Sequence, residues 1–326
     1  MIKPVPLGVA LGFDELFEII APVADGGGVF PQLLRYLAHC VNQFSHTYAK
    51  VVKKCYICID MQLPMKVGDI TAVLEEFAPL HIQESWDNSG LIIGSPEDEV
   101  HGVLVGFDCT SALIDEAVEK GCDMVVTHHP LIFKGIRRID GKDPVGAAIM
   151  QAIRCGVAVY AAHTTADKVI TGVSGAMARR LELKNVSILV PEEDGTVGLG
   201  CMGELPRPMT GLEALAYVRE KFNLKVIRSS KPLEEPIRKV ALLGGSGGGE
   251  IPQAQAKGAQ LFITADISYH NFFTSEGFMV MDVGHFESEV EIVDIFVAQI
   301  RKKFPTFASY KSSALDRSNP VHYFVV

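Results

Sequence analysis

Gly121-Cys122-Asp123-Met124-Val125-Val126-Thr127-His128-His129 sets a glycine stop before a short apolar run, and the run before two adjacent imidazoles. Residues 124–126 read as a buried strand whose carboxyl end presents His128 and His129. Gly156-Val157-Ala158-Val159-Tyr160-Ala161-Ala162-His163 is built the same way, with Asp167 four residues further on. The construction recurs in the second half of the chain. Gly258-Ala259-Gln260-Leu261-Phe262-Ile263-Thr264-Ala265-Asp266 precedes Gly277-Phe278-Met279-Val280-Met281-Asp282-Val283-Gly284-His285, and Glu289 follows four residues later. Imidazoles and carboxylates are thus delivered at the ends of short strands in two related units, which is how a metal site is assembled.

Outward from these strands the chain alternates strand and helix. Residues 67–77 carry apolar positions at helical spacing and stop before Pro79, and 91–93 read as a short buried strand. Residues 103–107 form a strand closed by Asp108, Thr110 or Ser111 caps a helix to Lys120, and a helix over 144–154 precedes the strand at 157–161. A connecting region holds helices at 172–181 and 212–221 with strands at 196–202 and 226–227. The second unit has a strand at 240–243, the run Gly244–Gly249, a helix from about 252 and a helix over 268–276. A strand at 278–282, a long helix over 287–303 and a terminal strand at 323–326 complete it.

The fold class expected is α/β: two similar α/β lobes, each a mixed or mostly parallel sheet flanked by helices, with the metal site in the cleft between them. Residues 1–64 have a different texture and read as an N-terminal extension, with a helix over 33–52 and a strand over 54–61. Residues 65–185 form the first lobe, and 186–326 the connecting elements and second lobe.

A net charge of -9 and a pI near 5.6 argue against a nucleic-acid surface, although Lys134, Arg137 and Arg138 could steer a small anion. Seven cysteines scattered through apolar surroundings read as reduced thiols in a cytoplasmic protein. Cys55 and Cys58 have the spacing of a redox or zinc pair, but no second pair follows. No apolar stretch reaches the length of a membrane span, and a signal peptide is not expected.

Two adjacent histidines point in different directions, so His128 and His129 suit two neighbouring ions about 3.5 to 4 Å apart, bridged by a carboxylate. His285 and Glu289 share a helix face if the final helix starts near Gly284, with Glu287 turned to solvent. The offset between His163 and Asp167 is the same, making His163 a weaker ligand candidate or a supporting group. Asp108 could cap a helix or orient a histidine. Asp266 and His270 are candidates for proton transfer or support. The glycines from Gly244 could cradle phosphate or allow close packing, and Trp86 could stack on a base or belong to the core.

Taken together, Glu84-Ser85-Trp86-Asp87-Asn88-Ser89-Gly90, the segment Gly121–Pro130 with Ile132-Phe133-Lys134, Ala162–Asp167, Gly244–Gly248, Thr264–Asp266 and Gly284–Glu289 resemble the GTP cyclohydrolase type 2 homologue family. The resemblance covers residues 65 to about 326. It implies two divalent ions (Zn²⁺, Mn²⁺ or Fe²⁺) on His128, His129, Asp167, His285 and Glu289, with Glu289 reaching both, and a homohexameric ring with the sites facing an internal cavity. The function it implies is hydrolysis of a small anionic or nucleotide-like substrate. The alternative is a non-catalytic metal-binding regulatory or metal-handling scaffold.

Overall fold

The computed structural model describes residues 65–324. The helix and strand expected before residue 62, and the Cys55/Cys58 pair, lie outside the described residues.

In chain order the elements are β1 (Met65–Lys66), α1 (Val67–Phe77), β2 (Gly90–Ile93), β3 (Glu99–Val100), β4 (Gly102–Val105), α2 (Ser111–Glu119), β5 (Met124–Thr127), α3 (Pro144–Cys155), β6 (Ala158–Ala161), α4 (Thr164–Lys168) and α5 (Val173–Arg180). There follow β7 (Lys184–Pro191), β8 (Gly198–Met209), α6 (Gly211–Phe222), β9 (Arg228–Ser229), β10 (Ile237–Ser246), α7 (Ile251–Ala256), β11 (Leu261–Ala265), β12 (Met279–Asp282), α8 (His285–Glu289), α9 (Ile292–Lys303) and β13 (Ala308–Lys311).

One sheet has the order β13-β4-β5-β6-β2, parallel except for β2, which runs antiparallel to β6. A second, six-stranded sheet has the order β7-β8-β10-β11-β12-β9, with β10, β11 and β12 parallel and the outer strands antiparallel to their neighbours, and β1 and β3 form a separate antiparallel pair. Both larger sheets are mixed, and helices cover them.

Side chains alternate across a strand, and both faces of the parallel strands are buried, so their sequences are apolar throughout. Val103, Val105, Met124, Val126 and Tyr160 join Ile70 and Leu74 of α1 and Phe296 and Ile300 of α9 on one face. Leu104, Val125 and Val159 face Leu113 and Ile114 of α2 and Ile149 of α3 on the other. The second sheet repeats the arrangement. Leu242, Ile263 and Met281 pack with Met177 of α5 and Val218 of α6, while Ala241, Phe262 and Val280 pack with Ala254 of α7.

Helix ends follow the capping signals. The Thr110 hydroxyl accepts the Leu113 N–H at 3.2 Å, settling the choice between Thr110 and Ser111. Asp143 caps α3, which ends on Gly156 in the left-handed conformation.

Four expected elements differ, the first being the strand expected at 226–227, which lies two residues later as β9. Residues 268–276 form only the single 3₁₀ turn Tyr269–Phe272, because aromatic residues, Asn and Thr are weak helix formers. The long final helix is broken after Glu289, so that α8 packs against β10 and α9 against α1. The last strand is Ala308–Lys311, paired with β4 in the first sheet, and Tyr323 and Phe324 are not in a strand.

Among the described residues no helix is long and apolar enough to cross a membrane. Cys109, Cys122 and Cys201 are buried free thiols whose pKa values burial pushes up to about 12, 11 and 12. Such thiols are poor nucleophiles.

Candidate metal centre

Where β5 ends, the chain turns sharply and fixes two imidazoles. The N–H groups of His128 and His129 both donate to the Phe107 carbonyl, at 3.1 and 3.2 Å, and the Thr127 hydroxyl donates to the His129 carbonyl at 2.8 Å. The rings then diverge, 4.9 Å apart and inclined at 45°. Phe107 supports both, stacking on His128 and meeting His129 edge-on.

Four imidazoles converge, and each has its Nδ1 tied to an oxygen. His128 Nδ1 lies 3.0 Å from the Ala162 carbonyl. His129, His163 and His285 each place Nδ1 2.8 Å from a carboxylate, on Asp108, Asp87 and Asp266 respectively. A backbone carbonyl cannot donate, so Nδ1 of His128 carries the proton and Nε2 presents a lone pair. When an ion takes Nε2, the carboxylates select the same tautomer in the rings of His129, His163 and His285.

The Nε2 atoms meet two buried carboxylates. His128 Nε2 is 3.7 Å from Asp167 Oδ1 and 3.6 Å from Glu289 Oε2. His129 Nε2 and His285 Nε2 lie 3.4 and 3.0 Å from the same Glu289 oxygen, and 3.3 Å from each other. Ligand atoms about 2.0–2.2 Å from a common ion sit about 3 to 3.6 Å apart, which these separations match closely. Two trios result, His128 with Asp167 and Glu289, and His129 with His285 and Glu289. His163 forms a third grouping with His128 and His129.

His128 Nε2, Asp167 Oδ1 and Glu289 Oε2 are buried without any hydrogen-bond partner. Three such atoms pointing at one space are costly unless a cation fills it, and the donor set suits a divalent ion.

Electrostatics agree. Burial drives the Asp167 carboxyl well above its ordinary range, and neighbouring Glu289 adds to the effect. Burial would do the same to Glu289, but the imidazole of His128, with His129 and His285, holds it well below. Burial lowers His128, whereas for His129 and His285 it is outweighed by the facing carboxylates, which raise them to about 10 and about 9. Without an ion, protons must neutralise this cluster.

Glycine makes room for it. Gly245 at the end of β10 has φ +62°, and a Cβ there would lie 2.2 Å from Glu289 Oε1. The Gly245 N–H donates to the Ser288 hydroxyl and the Gly247 N–H to the Thr264 hydroxyl, which in turn donates to the Gly245 carbonyl. The Gly245 and Gly247 donors are therefore spent on packing, which favours that reading of the glycine run over a phosphate cradle.

Of the residues singled out in the sequence, His128, His129, Asp167, His285 and Glu289 come together, and Asp266 lies directly behind His285. Asp108 orients His129 and does not cap α2. His270 is on the exposed turn, its ring 5.4 Å from Tyr269 and stacked on Phe273. Glu287 is half-buried and accepts a hydrogen bond from Asn319, where solvent exposure was expected.

Asp87 is the residue the sequence did not reveal. Its buried carboxylate receives the Thr164 N–H and hydroxyl and the Ser89 hydroxyl, besides His163, and these bonds outweigh burial to hold its pKa well below the carboxylate range. In the sequence it stood only within the Glu84–Gly90 segment, with no role of its own.

Asp108→Asn and Asp266→Asn are each expected to weaken metal binding by about 10- to 100-fold with the fold intact, since such partners fix ring orientation and basicity. Chelator competition alongside circular dichroism checks this. Unchanged affinity in both variants would remove their orienting role.

Residues 65–320 match the family model for Duf34/NIF3 (NGG1p interacting factor 3). The GTP cyclohydrolase 1 type 2 homolog of Clostridium acetobutylicum is 34% identical over 231 residues, 70% of this chain and 86% of that protein. The protein of the same description from Streptomyces coelicolor is 32% identical over 243 residues, 72% of this chain and 85% of its own length. Among solved structures, the hypothetical protein SA1388 of Staphylococcus aureus superposes with a TM-score of 0.74 at 28% identity, covering 80% of this chain and all of that one. With its family match spanning both sheets and the whole imidazole–carboxylate cluster, the chain belongs to the DUF34/NIF3 family of GTP cyclohydrolase 1 type 2 homologs.

Proposed function

We propose that the cluster holds two divalent cations, Zn²⁺, Mn²⁺ or Fe²⁺, and that the protein is a hydrolase acting on a small anionic or nucleotide-like substrate. His128 and Asp167 would hold one ion, His129 and His285 the other, and Glu289 both. The observation that carries this reading is the single buried oxygen, Glu289 Oε2, standing unpartnered within 3.7 Å of three imidazole nitrogens. Such a pair of ions supplies Lewis acidity and a water of lowered pKa. The protein's part is to position and exclude. Asp87, Asp108 and Asp266 fix the rings, Phe107 walls the site on one side, and exposed Lys134, Arg137 and Arg138 attract the anion. Asp266 is the candidate to move a proton, through His285, with His270 beyond it on the neighbouring turn. In this reading the two sheets with their helices are two lobes, the site lies in the cleft between them, and the chain acts as a cytoplasmic homohexamer, which sedimentation velocity would test.

The test of activity is turnover by metal-loaded protein across nucleotides, GTP included, and phosphoesters. Metal-dependent turnover abolished in His128→Ala is expected. Full metal occupancy without turnover on the panel would instead favour a non-catalytic metal-handling scaffold. One observation already speaks for that second reading. The Asp266 carboxylate is engaged by both His285 and the Ser246 hydroxyl, leaving it little freedom as a base.

Binding is expected to depend steeply on pH. Below pH 9 both His129 and His285, raised to about 9 or 10 in the metal-free protein, must shed a proton when an ion binds. Affinity for Zn²⁺ should therefore rise by about tenfold per pH unit for each proton released. The stability that these raised pKa values lend the stripped protein is complete below pH 6.5 and fades as pH climbs through 9 and 10. The Tm gap between loaded and stripped protein should accordingly widen from pH 6.5 to 9. A pH-independent gap would contradict the assignment of these two rings.

A further inference from the structure

We infer that Trp86 and Phe133 form an aromatic platform beside the metal centre that stacks a planar heteroaromatic ring of the ligand, so that the substrate class is a phosphorylated base and not a plain sugar phosphate or phosphoester. The inference rests on the two-ion reading of the centre and adds the substrate's shape to it.

Trp86 is 56% exposed and Phe133 46%, a costly use of two large rings unless something covers them. They lie 5.8 Å apart, tilted at 40°, and both meet the His163 ring in T-shaped contacts, at 5.8 and 5.5 Å. His163 in turn is 5.3 Å from the rings of both His128 and His129. A flat ring lying on this platform therefore sits one imidazole away from the cluster.

The platform is also braced. Asn88 Nδ2 donates to the Ile132 carbonyl at 2.7 Å, tying the loop that carries Trp86 to the segment that carries Phe133. The Ser89 hydroxyl accepts the His163 N–H, and the Thr164 hydroxyl accepts the Glu84 N–H, both at 3.0 Å, locking that loop to the start of α4. Preorganised rings lose little freedom on stacking, and every base has a face to offer them. Lys134 follows Phe133 directly, Arg137 and Arg138 come a few residues later, and all three are exposed, so a phosphate extending from the stacked ring has positive charge in the same segment to meet.

Trp86 is the single tryptophan of the chain, so its emission reports on this platform alone. Metal-loaded full-length protein titrated with guanosine 5′-monophosphate is expected to show saturable quenching, while ribose 5-phosphate at equal concentration leaves emission unchanged. Phe133→Ala should weaken guanosine 5′-monophosphate binding by about tenfold at unchanged metal content, which certifies the fold. Calorimetry should show Trp86→Phe close to wild type and Trp86→Ala weakened to a similar degree. Equal binding of both phosphates, or no change in Phe133→Ala and Trp86→Ala, would overturn the platform. So would an emission that follows protein concentration and ignores nucleotide, which would mark the rings as a contact between copies. Quenching without turnover leaves the platform standing and counts only against the hydrolase. Turnover of phosphoesters that neither quench nor depend on Phe133 does the reverse.

Discussion

Glu289→Gln is expected to empty both ion positions, whereas His128→Ala should empty one and leave its neighbour filled. The difference follows from one oxygen. Glu289 Oε2 lies 3.6, 3.4 and 3.0 Å from the Nε2 atoms of His128, His129 and His285, so it belongs to both trios, while His128 belongs to one of them. The amide of glutamine fills the same space but carries no charge. Two cations would then share the single carboxylate of Asp167, which burial keeps from ionising freely. In water a missing charge is compensated by solvent. Here Glu289 is 3% exposed, and compensation has to come from protons. Elemental analysis of purified protein should accordingly read two ions per chain for the wild type, one for His128→Ala and none for Glu289→Gln. Because binding energy of a metal that ignores the unfolded chain appears as stability, Glu289→Gln should also lose the metal-dependent part of the Tm. Two ions retained in Glu289→Gln would overturn the bridging role of the carboxylate, whereas a single ion in the wild type would overturn the two-ion reading of the cluster.

What could be read from the chain beforehand, and what could not, has a physical pattern. Helix stops and buried strands are local. Gly121 and Gly156 end helices, residues 124–126 are apolar on both faces, and both facts are written in adjacent residues. The candidate ligands were legible for the same reason, since each sits at the end of such a strand or one helical turn beyond it. Partners joined across the fold were not. Asp87 and His163 are 76 residues apart, and no periodicity links an acidic residue in an irregular loop to an imidazole after a strand. Asp108 was ambiguous because capping and histidine orientation ask for the same side chain at the same place. The structure decides by giving the cap to Thr110. The helix expected over 268–276 failed because its aromatic, Asn and Thr residues favour a helix only weakly and no residue of the turn Tyr269–Phe272 is buried to hold one, and His270 went with it to an exposed turn. The break between α8 and α9 was invisible because 287–303 is apolar at helical spacing throughout. Only the need to aim Glu289 one way and pack Phe296 another separates them.

Gly245→Ala should destroy the metal centre although Gly245 offers it no ligand. A methyl group at this position would stand 2.2 Å from Glu289 Oε1, 3.0 Å from the carboxyl carbon and 3.3 Å from His285 Cε1. The backbone cannot retreat, because the Gly245 N–H is held by the Ser288 hydroxyl at 3.0 Å and its carbonyl by the Thr264 hydroxyl at 2.9 Å. The side chain that can move is Glu289, whose carboxylate is the flexible end of three rotatable bonds. It gives way by rotating out of the position shared by the two trios. The cost to folding is modest, about 1–2 kcal/mol for an alanine held at φ +62°. The cost to the site is the loss of the one oxygen that both ions require. Gly245→Ala is therefore expected to resemble Glu289→Gln in metal content, at or near zero, while keeping a cooperative unfolding transition a few degrees below that of stripped wild type. Gly249→Ala is the matched control, since nothing lies within 4 Å of a Cβ there and its φ is not in the left-handed region. It should bind two ions normally. Full metal content in Gly245→Ala would mean that Glu289 reaches the ions from another direction, and the geometry from which the bridging role is argued would have to be abandoned.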